Sequence, residues 1–122
     1  MRFISTKVHG MLDYIMGLII IASPWLFGFA DGTAAQWVPV VVGLVLLLSS
    51  LMTNYEYSIA KMISMPTHLG LDVLAGIFLI ASPWLFGFAG RISTPHIVFG
   101  ILEIGAGLMT KTTPGTRTSV AI

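Results

Sequence analysis

The sequence predicts an all-helical, polytopic membrane protein, with four transmembrane helices arranged as two tandem helix pairs of the same orientation. Three observations predict it. The composition is that of a lipid-embedded chain, with 56% apolar and 9% charged residues and a mean hydropathy of +0.93, where an ordinary soluble domain carries about 25% charged residues. The nonapeptide Ala22-Ser23-Pro24-Trp25-Leu26-Phe27-Gly28-Phe29-Ala30 returns letter for letter as Ala81 to Ala89. The length of 122 residues fits one domain of four spans of about 20 apolar residues each, joined by short connections.

The identity extends backward at the same offset, pairing His9 with His68, Asp13 with Asp72 and Gly17 with Gly76. Past the nonapeptide the register slips by two, so that Gly43-Leu44-Val45 aligns with Gly100-Ile101-Leu102 and Leu51-Met52-Thr53 with Leu108-Met109-Thr110. The slip predicts a shorter connecting loop in the second copy. A tandem duplication of this kind divides the single membrane domain into repeat one, about 7–53, a linker, about 54–66, repeat two, about 67–110, and a C-terminal tail, 111–122.

Taken in order, residues 1–8 with Arg2 and Lys7 form a basic lead into the first span. His9 to Ser23 is helical in character, with His9, Asp13 and Gly17 spaced by four on one slowly drifting face. At Ser23-Pro24 a break is expected, because proline lacks the backbone donor and clashes with the preceding turn. Serine as N-cap and proline as first helical residue would start a new helix equally well. The expectation is therefore either a kink near Pro24 or a short tilted segment over Trp25 to Phe29, with its rings at the headgroups. Asp31-Gly32-Thr33 reads as loop, and Trp37 to Met52 as the second span with Pro39 in its first turn. Asn54 to Met65 suits a helix end followed by a turn or an amphipathic surface piece. His68 to Ser82 repeats span one, Gly90 to Pro95 forms the second loop, and Ile97 to Thr110 is the fourth span.

The doubled tripeptide, Ser23-Pro24-Trp25 and Ser82-Pro83-Trp84, each late in the first of two apolar segments, resembles the SPW-repeat family of small prokaryotic integral membrane proteins. The resemblance covers roughly residues 7 to 110. It implies a membrane-embedded helix-pair repeat, and it implies no activity.

Orientation follows from the positive charges. Arg2, Lys7, Lys61, Lys111 and Arg117 fall on one side and Arg91 on the other, which predicts a multi-pass protein of the cell membrane with both termini cytoplasmic. An even number of spans per copy makes the copies like-oriented, related by a pseudo-twofold axis along the membrane normal. The SPW segments, with Ser23, Pro24, Trp25, Ser82, Pro83 and Trp84, then form an outer interface, and the His-Asp pairs lie at the inner face. A net charge of +1 without a basic cluster argues against nucleic acid as a partner. The absence of cysteine excludes disulfides, thiolate metal sites and covalent haem attachment. The apolar run after the basic lead is no cleaved signal peptide on this reading, since the same run recurs internally.

The candidate intramembrane polar site is His9, Asp13, His68, Asp72 and Glu103, because carboxylates inside a span are costly and need partners. Histidine at i and aspartate at i+4 can pair within one helix and anchor equivalent spans. Alternatively, spans one and three pack face to face, with Gly17 and Gly76 permitting the approach, and the four groups hold a divalent metal or relay protons. No metal site is assigned, because neither copy supplies a third ligand. Glu103 replaces Leu46 of the first copy midway along span four and can face the same interior. His96 is expected at the outer interface, since it has no acidic neighbour. Trp25 and Trp84 read as interfacial anchors rather than a stacking platform for a ring.

No nucleophile elbow, phosphate loop, zinc-protease or dinucleotide motif is present, so the expectation is a non-enzymatic protein without a cofactor. Its partners are the lipid bilayer and a second copy or larger membrane complex, because a thin bundle leaves much apolar area exposed. The reading is a structural or interaction protein. A small proton or ion channel or transporter lined by the five polar residues is the alternative, with metal or haem binding a weaker third class.

Overall fold

The computed structural model describes residues 2–113. It contains α1 (Thr6–Leu26), α2 (Ala34–Met52), α3 (Met65–Leu85) and α4 (Thr94–Met109). Among the described residues the only pairing outside helices is two single parallel bridges, Ile4 with Thr110 and Thr53 with Ile63. The first three helices are long and apolar enough to cross a membrane, and α4 is apolar but shorter. Its 16 residues rise about 24 Å, against about 31 Å for α1. The predicted tail beyond residue 113, Arg117 included, lies outside the described residues.

Serine begins both odd-numbered helices. Ser5 Oγ accepts from the Val8 N–H at 3.1 Å and Ser64 Oγ from the Thr67 N–H at 3.3 Å, each relieving one of the free donors of a first turn. Ile4-Ser5 and Ile63-Ser64 stand at the same offset as the rest of the duplication. The paired bridges obey the same symmetry, joining the entry of each odd helix to the exit of the even helix of the other or preceding copy.

Of the two expectations for the SPW segments, the separate tilted segment does not form; α1 runs through Pro24 to Leu26 and α3 through Pro83 to Leu85. Proline leaves the carbonyl four residues earlier without its N–H donor, and the preceding serine supplies one. Ser23 Oγ donates to the Ile20 carbonyl at 2.7 Å, and Ser82 Oγ to that of Leu79 at 2.8 Å. Two residues past each helix, Gly28 and Gly87 take φ of +74°, and the next N–H closes back on the proline carbonyl, Phe29 onto Pro24 at 2.7 Å and Phe88 onto Pro83 at 2.8 Å. This is a Schellman ending, in which glycine accepts the left-handed conformation at no steric cost. The nonapeptide is thus a helix terminator. Its serine and proline are buried, while Trp25 and Trp84 are 59% and 62% exposed.

The two-residue slip between copies is not a shorter second loop. The connections are 27–33 and 86–93, and the difference appears as an earlier start of α2, at Ala34 instead of Trp37. Thr33 caps that start.

Each repeat is a tight hairpin. Gly17 and Gly43 bring α1 and α2 together, and Gly76 and Gly100 bring α3 and α4 together so closely that a Cβ on Gly100 would stand 2.5 Å from the Gly76 carbonyl oxygen. The expectation that Gly17 and Gly76 join spans one and three is therefore corrected: these glycines serve contacts inside each copy. The hairpins lie side by side with both aromatic corners at one end, where Phe29, Ala35 and Phe88 cluster and Arg91 pairs with Asp31. Ile20, Val38, Val42, Leu46, Leu79 and Phe99 fill the middle. The opposite end, around Tyr55, Met65 and Leu69, holds the polar residues.

Candidate functional site

Because each odd helix starts at an equivalent serine, His9 and His68 arrive one turn in and Asp13 and Asp72 two turns in. The side-by-side hairpins then bring all four to one point. His9 Nε2 lies 2.9 Å from Asp13 Oδ1 and 2.8 Å from Asp72 Oδ2. His68 Nε2 lies 2.8 Å from Asp13 Oδ2 and 3.4 Å from Asp72 Oδ2. The imidazole rings stand edge to face with centroids 5.6 Å apart. None of the four is more than 7% exposed. The pairing is both within a helix and across the repeats, and for His68 the cross-repeat contact is the shorter.

The tautomer of each imidazole follows from its other nitrogen. His9 Nδ1 lies 2.7 Å from Thr110 Oγ1, and His68 Nδ1 lies 2.8 Å from Thr53 Oγ1. Each threonine hydroxyl has one hydrogen, already donated to the carbonyl one turn back, Ala106 at 2.6 Å and Ser49 at 2.5 Å. The hydroxyl oxygen must therefore accept, and Nδ1 must donate. Both Nε2 atoms consequently turn toward the carboxylates. The clamp is crossed, since the last residue of each repeat holds the first histidine of the other.

The surroundings are not symmetric. Asp13 Oδ2 also accepts from Tyr55 Oη at 3.0 Å, and lies 3.2 Å from Ser50 Oγ, whose single hydrogen has the Leu46 carbonyl at 2.9 Å. Burial pushes the Tyr55 phenol up from its ordinary pKa, which keeps it a donor. Asp72 has no such support, and among the described residues its Oδ1 is buried without a hydrogen-bond partner. Glu103 is 4% exposed and does not join the four directly. It faces a cleft of about 120 Å³ between α1 and α4, lined by Leu12, Asp13, Met16, Leu102, Glu103 and Ala106.

Of the two readings of the linker, the helix end followed by a turn is the one that forms. Thr53 caps α2, Tyr55 turns inward and is 1% exposed, and Glu56 accepts from Thr6 Oγ1 at 2.7 Å. Thr53, Thr110, Ser50 and Tyr55 were not candidates from sequence, although Thr53 and Thr110 occupy identical places after a repeated Leu-Met. That repetition was the available signal.

His96 is also corrected. It is 1% exposed, sits between the rings of Phe29 and Phe88, and its Nε2 donates to the Ala35 carbonyl at 2.9 Å. Ala35 is the residue whose carbonyl Pro39 leaves without an N–H, since α2 begins at Ala34 and Pro39 lies beyond its first turn. His96 replaces that donor.

Arg2 donates to the carbonyls of Gly107 and Thr110 at 3.1 and 2.7 Å, and Lys61 to that of Tyr55 at 2.8 Å. Both cations lie at the end that holds the four polar residues, and Arg2 meets carbonyls of the last turn of α4, as cations do at helix C-termini. At the other end, Asp31 accepts from the hydroxyl and N–H of Thr33 and from Arg91. The Thr33 contacts, then Arg91, hold its carboxyl down at about 2.

No curated protein and no solved structure matches the chain. The SPW repeat domain family does, over residues 7–110, a span that includes both hairpins, both tryptophan corners and the four converging side chains. The chain belongs to the SPW repeat domain family.

Proposed function

We propose that this small membrane protein is a non-enzymatic structural or interaction protein, in which the His-Asp quartet fixes two helix hairpins in one frame. The lipid-facing sides are then left for a second copy or a larger membrane complex. One observation supports the reading above others: each histidine is answered by a carboxylate of the other repeat, so the quartet ties the two hairpins together. Removing one member of such a buried set costs about 3–5 kcal/mol, because it strands the remaining charge. The protein crosses the cell membrane more than once, with both termini cytoplasmic, on the strength of Arg2, Lys7, Lys61 and Lys111 at the quartet end.

The test is reconstitution of the full chain in liposomes. Proton and potassium flux should equal that of protein-free liposomes, and Asp13→Asn with Asp72→Asn should leave flux unchanged while lowering the unfolding midpoint. A flux that the double substitution abolishes would overturn the structural reading in favour of a small channel or transporter. The cleft lined by Asp13 and Glu103 is the feature that supports that second reading. Self-association is tested by crosslinking in native membranes, where a dimer or larger species is expected.

A further inference from the structure

We propose that His9, Asp13, His68 and Asp72 bind one divalent transition metal of the zinc class, with Thr53 and Thr110 holding the imidazoles in the ligating tautomer. The inference goes beyond the structural reading, since a quartet that never meets a metal still joins the hairpins.

Each copy alone offers two ligands, which is why the sequence assigns no site. The fold supplies the other two. One ligand atom from each of the four residues falls within 4.8 Å of all the others, and the set of two imidazole nitrogens and two carboxylate oxygens suits zinc and its neighbours. A histidine bound to metal through one nitrogen almost always donates its other N–H to a fixed acceptor. That acceptor is already in place for both rings, in hydroxyls whose own hydrogens are committed to Ala106 and Ser49. Each Nε2 thus faces carboxylate oxygens, where a proton sits between them in the metal-free protein and a divalent ion would take the place of the two protons. Two carboxylates match one divalent ion in charge.

The size also fits. Zinc with legs of about 2.0–2.1 Å sets tetrahedral ligand atoms about 3.3–3.5 Å apart. The nitrogen–oxygen separations are 2.9, 2.8, 2.8 and 3.4 Å, with Asp13 counted through Oδ1 to His9 and through Oδ2 to His68, and one atom from each residue lies within 4.8 Å of the others, so closing on an ion of this radius widens the short contacts by roughly half an ångström and shortens the longest. The second oxygen of Asp72 is fully buried without a partner, a spare donor that the protein's own contacts do not explain. The cleft between α1 and α4 reaches Asp13 and gives the ion a way in. Tyr55 donates to Asp13 Oδ2, as outer-shell donors do for ligating carboxylates.

The probe is Co²⁺. The full chain, purified in mild detergent and stripped with a chelator, should bind one Co²⁺ per chain with the intense visible bands of a tetrahedral site, and Zn²⁺ should bleach them. His9→Ala and His68→Ala should each remove the bands, and Asp31→Asn, at the other end of the bundle, should keep them. Thr53→Val and Thr110→Val should weaken Co²⁺ binding about 10–100-fold while leaving the band shape intact. Wild-type protein that is folded by circular dichroism and shows no tetrahedral bands up to about 100 μM Co²⁺, well above the affinities of ordinary structural sites, overturns the proposal, even if a histidine variant fails to fold. So does binding that survives in a folded His9→Ala, His68→Ala double variant.

Discussion

Substituting Gly76 by alanine tests the hairpin geometry that delivers the quartet. A Cβ at this position would lie 2.5 Å from the Gly100 carbonyl oxygen, 2.6 Å from Ile104 Cγ1 and 3.0 Å from the Ile104 nitrogen. Carbon and carbonyl oxygen settle at about 3.3–3.6 Å, so α4 must withdraw by roughly an ångström. Two of the three obstacles are backbone and cannot rotate away. Overpacking of this kind costs about 1–3 kcal/mol, here at the upper end, while replacing glycine inside a helix returns up to about 1 kcal/mol. The net expectation is a loss of about 2 kcal/mol. Gly105 is the control, because nothing lies within 4 Å of its Cβ position and Gly105→Ala should be neutral or mildly stabilising. Gly17→Ala should fall between, since its nearest obstacles are the movable side-chain carbons of Leu47. The assay is reversible unfolding of the full chain in detergent, with metal removed. A Gly76→Ala protein as stable as Gly105→Ala would refute the contact and with it the close hairpin. The same shift of α4 would draw Thr110 from His9, so Gly76→Ala should also weaken Co²⁺ binding if the quartet is a metal site.

Further expectations concern the polar groups. In metal-free protein, Asp13→Asn should destabilise more than Asp72→Asn, by about 1–3 kcal/mol, because Asp13 accepts from Tyr55 as well as both histidines; equal losses in unfolding measurements would contradict the asymmetry. Ser23→Ala and Ser82→Ala should each cost about 1–3 kcal/mol by stranding a buried carbonyl, and a second substitution of the following proline by alanine should recover most of it. His96→Leu should cost about as much, yet markedly less in a Pro39→Ala background, where residue 39 supplies its own N–H to Ala35. A double-mutant cycle with no coupling would remove His96 from that role. For Asp31, a pKa lowered from 3.8 to about 2 means its contribution is present above about pH 4 and is lost as pH falls through about 2. The midpoint difference between wild type and Asp31→Asn should accordingly close at the acid end, and a difference that persists there would count against the loop contact.

The sequence by itself determined the duplication, the four helices, the apolar class and the common orientation of the copies. All of these are local or repetitive properties: hydropathy is additive along the chain, and a letter-for-letter repeat of Ser-Pro-Trp needs no partner to be recognised. It also marked His9, Asp13, His68 and Asp72, because charge inside a span is conspicuous. What it left open is who meets whom. Interchangeable aliphatics give no register between helices, so the pairing of Gly76 with Gly100 rather than with Gly17 was decided by how the hairpins close. Serine before proline reads as a cap or as a patch on the preceding turn, and only continuation of the helix selects the patch. Thr53 and Thr110 read as helix ends, Tyr55 as linker and His96 as interface, since a hydroxyl or imidazole carries no mark of a partner up to a hundred residues away. The tertiary structure supplied those partners by laying two equivalent hairpins side by side. The end of each then falls on the beginning of the other, and two incomplete pairs become one four-sided site.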